Sequence, residues 1–211
     1  MRPLAIDLFC GLGGWTEGLL AEGYDVVGFD IEQHQYGEHR YPAQLVIQDV
    51  LTLHGSQFRN AALIVASPPC QGYSYRAMPW SRAKALPPPD NTLFEACFRI
   101  QREACEAADR HIPLIVENVR GAQPWVGRAR WNYGSFYLWG DVPALMPMTW
   151  QAIKQGGDWF AEARKGGVGG TSASFGSKSP QRKAASAMIA KIPLPLSRYL
   201  AATFRPRVEV A

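Results

Sequence analysis

The sequence lacks what would anchor a chain in a membrane or load it with metal. No apolar run approaches the roughly 20 residues that a spanning helix needs. After Met1-Arg2 only a short strand-like run precedes Asp7, which is not the pattern of a secretory signal. Cysteine is sparse. Cys10, Cys70, Cys97 and Cys105 contain no CxxC pair, and with the scattered His34, His39, His54 and His111 they form no set with zinc spacing. These absences lead to three expectations: no membrane segment, no metal, and free thiols in a reducing, cytoplasmic compartment. Internal repeats are also missing. Acidic residues thin out along the chain. Residues 1–120 hold 10 basic and 14 acidic groups, whereas residues 121–211 hold 12 basic and only 4 acidic, within an overall charge of +4. The basic surplus of the second part suits a polyanionic partner or a solvated face.

What is present is a globular chain of 211 residues, 47% hydrophobic, with seven tryptophans. That is enough for one domain with a real core. Short apolar runs alternate with helical stretches. LAIDLF (4–9), DVVGFD (25–30), QLVIQD (44–49), ALIVAS (62–67), IPLIVEN (112–118) and GSFYLWG (134–140) read as strands. WTEGLLAEG reads as a helix closed by Gly23. Thr92 is the expected N-cap of a helix running to about Arg110, with Glu95 at the capping-box position. The alternation predicts an α/β fold with a mostly parallel sheet. Residues 72–91, with Tyr73, Tyr75, Arg76, Trp80, Arg82, Lys84 and a triple proline, read as a long functional loop. Residues 154–180, rich in Gly, Ser and Lys, read as loop or partly disordered chain. The tail reads as two helices interrupted at Pro193–Pro195.

Two clusters carry chemistry. GLGG at Gly11–Gly14 lies between the first strand and first helix, where a ligand can approach the backbone and meet a helix N-terminus. The spacing is not that of a dinucleotide fingerprint, which weighs against a nicotinamide-dependent oxidoreductase. Asp30 (with Glu32 close by) and Asp49 end the second and third strands. They suit ribose hydroxyls and an adenine amino group, or else cap helices. In the second cluster, SPPCQGYS places Cys70 after the fourth strand, and Glu117 ends the fifth. In an open parallel sheet both would face one crevice. Cys70 is then a nucleophile paired with an acid, or a packing residue like most free cysteines.

DLFCGLGG, SPPCQGYS and VENV, in this order and spacing, resemble the DNA cytosine-5 methyltransferase family, and the short phage and prophage members most of all. The resemblance covers about residues 4–140 and, more loosely, the C-terminal helices. It implies a Rossmann-like S-adenosylmethionine-dependent fold with helices on both sheet faces and a minimal target-recognition insert. The implied division is a catalytic core at 1–140, a small recognition or loop region at 141–186, and a helix at 187–211 returning to the core. Phe9, Gly11, Gly13 and Pro69 would line S-adenosylmethionine, Asp30 its ribose, and Asp49 its adenine. Cys70 would attack C6 of a flipped-out cytosine in double-stranded DNA. Glu117 would contact N3 and the exocyclic amine. Gln71, Ser74 and Asn118 would serve the substrate, with Asn118 also bracing the Cys70 loop. The same motifs occur in tRNA methyltransferases, and a silent nucleic-acid-binding module is the alternative from another class.

Three departures stand out. Arg128 and Arg130 have the spacing of the family's arginine pair but lie further from the sixth strand. Arg130 would reach the cytosine or its phosphate, and Arg128 the substrate. Ala190-Lys191 stands where the family usually has Gly-Asn. That sets an ammonium near a sulfonium, which is unfavourable unless an acid intervenes or the cofactor is itself acidic. Last, about residues 141–186 are all that remain for target recognition, which implies a short or relaxed target, or help from a homo-oligomer or another chain. Cys97 and Cys105 are expected in the core and Cys10 behind the glycine turn. Trp125, Trp131 and Trp139 could stack bases or pack.

Overall fold

In the computed structural model, which describes residues 2–74, 87–147 and 180–206, the apolar runs become strands and the amphipathic runs helices. In chain order these are β1 (Leu4–Leu8), α1 (Gly14–Ala21), β2 (Asp25–Asp30), a hairpin of β3 (Gln35–Tyr36) and β4 (His39–Arg40), β5 (Gln44–Ile47), β6 (Ala61–Ala66), α2 (Thr92–Ala108), β7 (Leu114–Asn118), the one-turn α3 (Gln123–Val126), β8 (Trp131–Tyr133), β9 (Phe136–Gly140), α4 (Pro180–Ala190) and α5 (Leu194–Phe204). Among the described residues the main sheet runs β5-β2-β1-β6-β7-β9-β8. The first five of these strands pair in parallel, and β9 and β8 add an antiparallel edge.

This order places the site. From β1 the chain moves outward to β2 and β5, then returns to the other side of β1 as β6. The direction of winding therefore reverses between β1 and β6, and the loops after those two strands part to leave a crevice. The loop after β1 is the glycine turn and the loop after β6 carries Cys70. Glu117 sits at the same end of the next strand, β7.

Strand alternation decides which face each side chain takes. Ile6, Leu8, Ile64, Leu114 and Val116 pack toward α2, where Phe94, Cys97 and Ile100 meet them. Ala5, Leu63, Val65 and Ile115 face α1 and α5 through Trp15, Leu19, Leu196 and Leu200. Cys97 lies in the core and Cys105 is half-buried beside it, its sulfur accepting from the Ile112 amide.

Several boundaries differ from expectation. The third predicted strand stops at Ile47 because Asp49 turns out of the sheet to cap the 3-10 turn at Val50–Thr52. Thr92 is not an N-cap but the first residue of α2. The carboxylate of Asp90 accepts from both its amide (2.8 Å) and its hydroxyl (2.5 Å), so an Asp turn does the work of the expected capping box. Asp109, at φ 51°, ends α2 just short of the expected Arg110. The sixth predicted strand is half of a hairpin, and the β3–β4 ribbon forms where the sequence predicts no strand.

The C-terminal helix α5 closes against α1. Tyr24 donates its hydroxyl to the Ala201 carbonyl (3.0 Å), and Arg198 pairs with Glu22 (2.7 Å). The contact is close because α1 carries Gly18: a Cβ there would lie 2.5 Å from the Ser197 carbonyl carbon and 2.3 Å from its hydroxyl. Gly18→Ala gains about 1 kcal/mol of helix propensity but forces two backbones apart, an overpacking cost of about 1–3 kcal/mol or more. The clash should win. A thermal midpoint lower by several degrees is expected, and an unchanged or raised midpoint would contradict the close packing.

Candidate active site

The turn after β1 is built from backbone that few residues tolerate. Phe9, Gly11 and Gly13 have φ of 57°, 50° and 77°. For a bulky residue such as Phe9 this is strained, a conformation that surrounding structure must hold in place. Two bonds hold it: Cys10 N–H donates to the Phe29 carbonyl (3.2 Å) and Gly13 N–H to the Cys10 carbonyl (2.7 Å). Gly13 is also the N-cap of α1, and having no side chain it leaves the first amides of that helix without a side-chain cap. The turn therefore presents backbone donors.

Asp30 faces this turn from the end of β2. Its Oδ2 accepts from Gly11 N–H (2.9 Å). Its Oδ1 accepts from Ile31 N–H (2.8 Å) and lies 3.5 Å from Nε2 of His34. Burial pushes this carboxyl up, but the bonds from His34, Gly11 and Glu32 outweigh it and hold it below the usual carboxylate range. Asp30 is thus an anion whose position is set by the glycine turn. Beside it Ile31 is 70% exposed, an apolar surface for a flat ring. An apolar residue following a strand-end acid is a signal that sequence reading passed over. Asp49 is half-buried and its Oδ1 caps Leu51 N–H (2.9 Å), so the capping alternative holds for one of its two oxygens.

Beneath the turn lies a network that no sequence motif announced. Asp7 is fully buried. Thr16 donates to its Oδ2 (2.6 Å) and shares a 2.7 Å hydrogen bond with the Tyr41 hydroxyl. Tyr41 crosses so close to β2 that a Cβ on Gly28 would lie 2.3 Å from its ring, and the Cys10 sulfur fills the other side. The other oxygen of Asp7, Oδ1, is buried with no hydrogen-bond partner among the described residues. Burial, opposed by the Thr16 bond and assisted by the charge of Asp30, raises the Asp7 carboxyl to about 8.

The folded chain therefore keeps this proton between about pH 4 and 8 whereas the unfolded chain loses it, so the residue's contribution to stability declines as pH rises through that window. Asp7→Asn, neutral throughout, should be flatter. Its stability relative to wild type should improve from pH 5 to pH 8, read by denaturation at both. A constant difference would show that Asp7 is ionised in the fold.

Across the crevice, Cys70 is half-buried and precedes the 3-10 turn Gln71–Tyr73, whose Tyr73 N–H returns to the Cys70 carbonyl (3.0 Å). Glu117 and Asn118 are both buried at the end of β7. Asn118 donates its side-chain amide to the Pro68 carbonyl (3.0 Å) and accepts from Val119 N–H (2.8 Å), tying the VEN strand end to the PPC loop. A second tie runs from Trp15 Nε1, on α1, to the Ser67 hydroxyl (3.0 Å). The loops after β6 and β7 meet backbone to backbone, since a Cβ on Gly121 would lie 2.1 Å from the Tyr73 carbonyl oxygen. Three neighbouring strand ends thus hold the glycine turn, Cys70 and Glu117. Gln71 and Ser74 lie beside Cys70, both exposed, and Pro69 precedes it.

Arg128 and Arg130 are exposed on the approach to β8. Arg130 N–H donates to the Leu138 carbonyl (2.9 Å), and Leu138 stands opposite Glu117. The Arg130 backbone is therefore two strand spacings, about 10 Å, from β7. Lys191 packs its stem on Gly14, where a Cβ would lie 2.9 Å from the lysine Cγ, and its ammonium pairs with Glu17 at 2.5 Å. Glu17, on the first turn of α1, is thus the acid that neutralises this ammonium. Trp139 is core, while Trp125 and Trp131 are partly exposed.

A cleft of about 700 Å³ bordered by Leu51, Phe98, Arg99 and Trp125 runs along α2, apart from the glycine turn, Asp30, Cys70 and Glu117. Among the described residues no group of His, Cys, Asp and Glu is placed to hold a metal ion, and no helix is long and apolar enough to cross a membrane. Of the expected functional loop, Tyr75, Arg76, Trp80, Arg82 and Lys84 lie outside the described residues, as does most of the 141–186 region.

A doubly wound sheet with a glycine turn, a strand-end acid on β2, a cysteine after β6 and a buried Glu-Asn pair on β7 defines the chain's class. Residues 4–123 match the C-5 cytosine-specific DNA methylase family, and the chain belongs to it. A type II methyltransferase, M.XorII of Xanthomonas oryzae pv. oryzae, is 31% identical over 132 residues, which are 57% of this chain and 29% of that protein. Among solved structures, one described as a DNA modification methyltransferase encoded within an E. coli prophage is 29% identical, covering 57% of this chain and 33% of the other at a TM-score of 0.40. The S. pombe Dnmt2 methyltransferase is 17% identical, covering 58% and 36% at a TM-score of 0.39. The chain thus spans less than a third of the curated relative's length.

Proposed function

We propose that this chain is the catalytic part of a DNA cytosine-5 methyltransferase that uses S-adenosylmethionine. The observation that carries the reading is the joining of three strand ends: the Cys70 loop is bonded through Asn118 to the strand carrying Glu117, and through Trp15 to the helix that follows the glycine turn. Family membership implies S-adenosylmethionine as cofactor. The residues fit it. The uncapped start of α1 suits a carboxylate, anionic Asp30 suits a ribose diol, and Phe9 and Ile31 offer apolar surface. Asp49 has an oxygen beyond its cap for the adenine amine.

The bound cofactor supplies an electrophilic methyl group, and the chain's own residues prepare cytosine C5 to take it. The Cys70 sulfur adds to C6 of a base turned out of the stack, forming an S–C bond and breaking the C5–C6 π bond. Glu117 holds a proton at N3, which neutralises the charge that addition pushes into the ring and leaves C5 electron-rich. After methylation the C5 proton leaves to a base and the thiolate is expelled from C6, restoring the ring. Arg130 and Arg128 serve the phosphates or the base edge from the neighbouring hairpin, and Gln71 and Ser74 lie where the base enters. The basic C-terminal part supplies sequence-independent attraction to the backbone.

The test is covalent capture. Duplex DNA carrying 5-fluorocytosine, which has no C5 proton to lose, should trap the protein in the presence of S-adenosylmethionine. A 5-fluorocytosine-substituted tRNA should not. Capture by tRNA alone would move the reading to RNA. Capture by neither, with retained DNA binding, would leave a silent binding module. The proposed division into a core at 1–140, a small recognition region at 141–186 and a returning helix at 187–211 predicts that target choice follows changes in the middle segment.

A further inference from the structure

Asp30 is crowded on one side. A carboxylate offers about four acceptor sites, two per oxygen. Oδ2 has one neighbour, Gly11 N–H at 2.9 Å, and room for a second donor. Oδ1 has three: Ile31 N–H at 2.8 Å, Glu32 N–H at 3.4 Å and His34 Nε2 at 3.5 Å. The Ile31 amide fills one site, the Glu32 amide at 3.4 Å only grazes the second, and neither can withdraw without unwinding the backbone that leaves β2. His34 can. It sits on the connection to the β3–β4 ribbon, its ring beside that of Tyr36, and its other polar contacts are long. Its Nδ1 lies 3.4 Å from the Tyr36 hydroxyl and 4.0 Å from Glu32.

We infer that His34 competes with the cofactor: its imidazole occupies the Oδ1 position on Asp30 that one hydroxyl of the adenosyl ribose takes. This rests on the adenosyl reading of the Asp30 site given above. A vicinal diol donates most favourably to both carboxylate oxygens. Oδ2 accepts one hydroxyl as it stands, and Oδ1 accepts the other once the imidazole swings away. The cost of that swing depends on charge. As imidazolium, His34 is held by Asp30 and Glu32 and repelled by Lys183 of α4. As neutral imidazole it is held weakly. The bond to Asp30, partly offset by burial, raises the imidazole above its ordinary range. The pair's stabilisation is therefore complete below about pH 6.5 and is lost as pH rises through the elevated value. Cofactor binding should release a proton and should tighten as pH rises.

Calorimetric titration with S-adenosylhomocysteine at pH 6, 7 and 8, in buffers of low and high ionisation enthalpy, reads this directly. Wild type should bind about three- to tenfold more tightly at pH 8 than at pH 6, with measurable proton release. His34→Ala should bind at pH 6 about as tightly as wild type does at pH 8. Burial and the charge of Asp30 also raise the nearby Asp7 carboxyl to about 8, so the difference between the two proteins is the informative quantity. Ring NMR supplies an independent reading: the His34 titration should move to lower pH when the ligand is added. Equal pH slopes in the two proteins, or tightening as pH falls, would overturn the competition while leaving the adenosyl site intact. Absence of binding by either protein at every pH would overturn the adenosyl reading and the inference with it.

Discussion

Cys70→Ser should form no adduct with 5-fluorocytosine DNA and should lose at least about 10³-fold in methyl transfer, the scale on which losing a nucleophile is felt. It should bind S-adenosylhomocysteine as wild type does. A thiol ordinarily ionises near 8.5, whereas an alcohol is a far weaker acid, so serine cannot deliver the anion that adds to C6. The separation of chemistry from binding follows from the local structure. The turn after Cys70 is closed by its backbone carbonyl, and the loop is anchored by Asn118 on Pro68. Neither tie uses the sulfur, so the serine variant keeps the loop in place. Substantial turnover by Cys70→Ser would remove the covalent mechanism.

The second large effect is expected at Asp30. Asp30→Ala deletes the acceptor for two ribose hydroxyls, and hydrogen bonds to a charged group contribute about 1.5–3 kcal/mol each. It also strips Gly11 N–H of its partner and frees the strained turn. Affinity for S-adenosylhomocysteine should fall by at least about 100-fold, measured by calorimetry, with the fold retained by circular dichroism. Asp49→Ala should cost less cofactor affinity, because that side chain also holds Leu51 N–H. Its loss should appear partly as reduced stability. Were the two variants to weaken binding equally, the assignment of ribose to Asp30 would be wrong.

The separate readouts follow from how the site is made. The proposed cofactor donors and acceptors come from the ends of β1, β2 and β5, and the cysteine and acid from the ends of β6 and β7. The ties through Trp15 and Asn118 join them above the β1–β6 and β6–β7 strand pairs. Changes to the sulfur should therefore spare cofactor binding, and changes to Asp30 should leave the Cys70 loop standing.

What the amino-acid order determined by itself was local. Strand-length apolar runs, glycines between strand and helix, and acids at strand ends are patterns within a few residues, governed by side-chain period and backbone sterics. They announced the α/β class, the glycine turn, Asp30, Cys70 and Glu117. The tertiary structure decided which of these meet. The order β5-β2-β1-β6-β7 brings Cys70 beside a turn some 60 residues earlier, through contacts that no local period encodes. The same holds for Tyr41 over Gly28, Ser197 against Gly18 and Glu17 under Lys191. Each depends on two backbones approaching closely enough for a glycine to be required or a charge to be paired. Such approaches come from packing whole faces together, which the separate segments cannot announce.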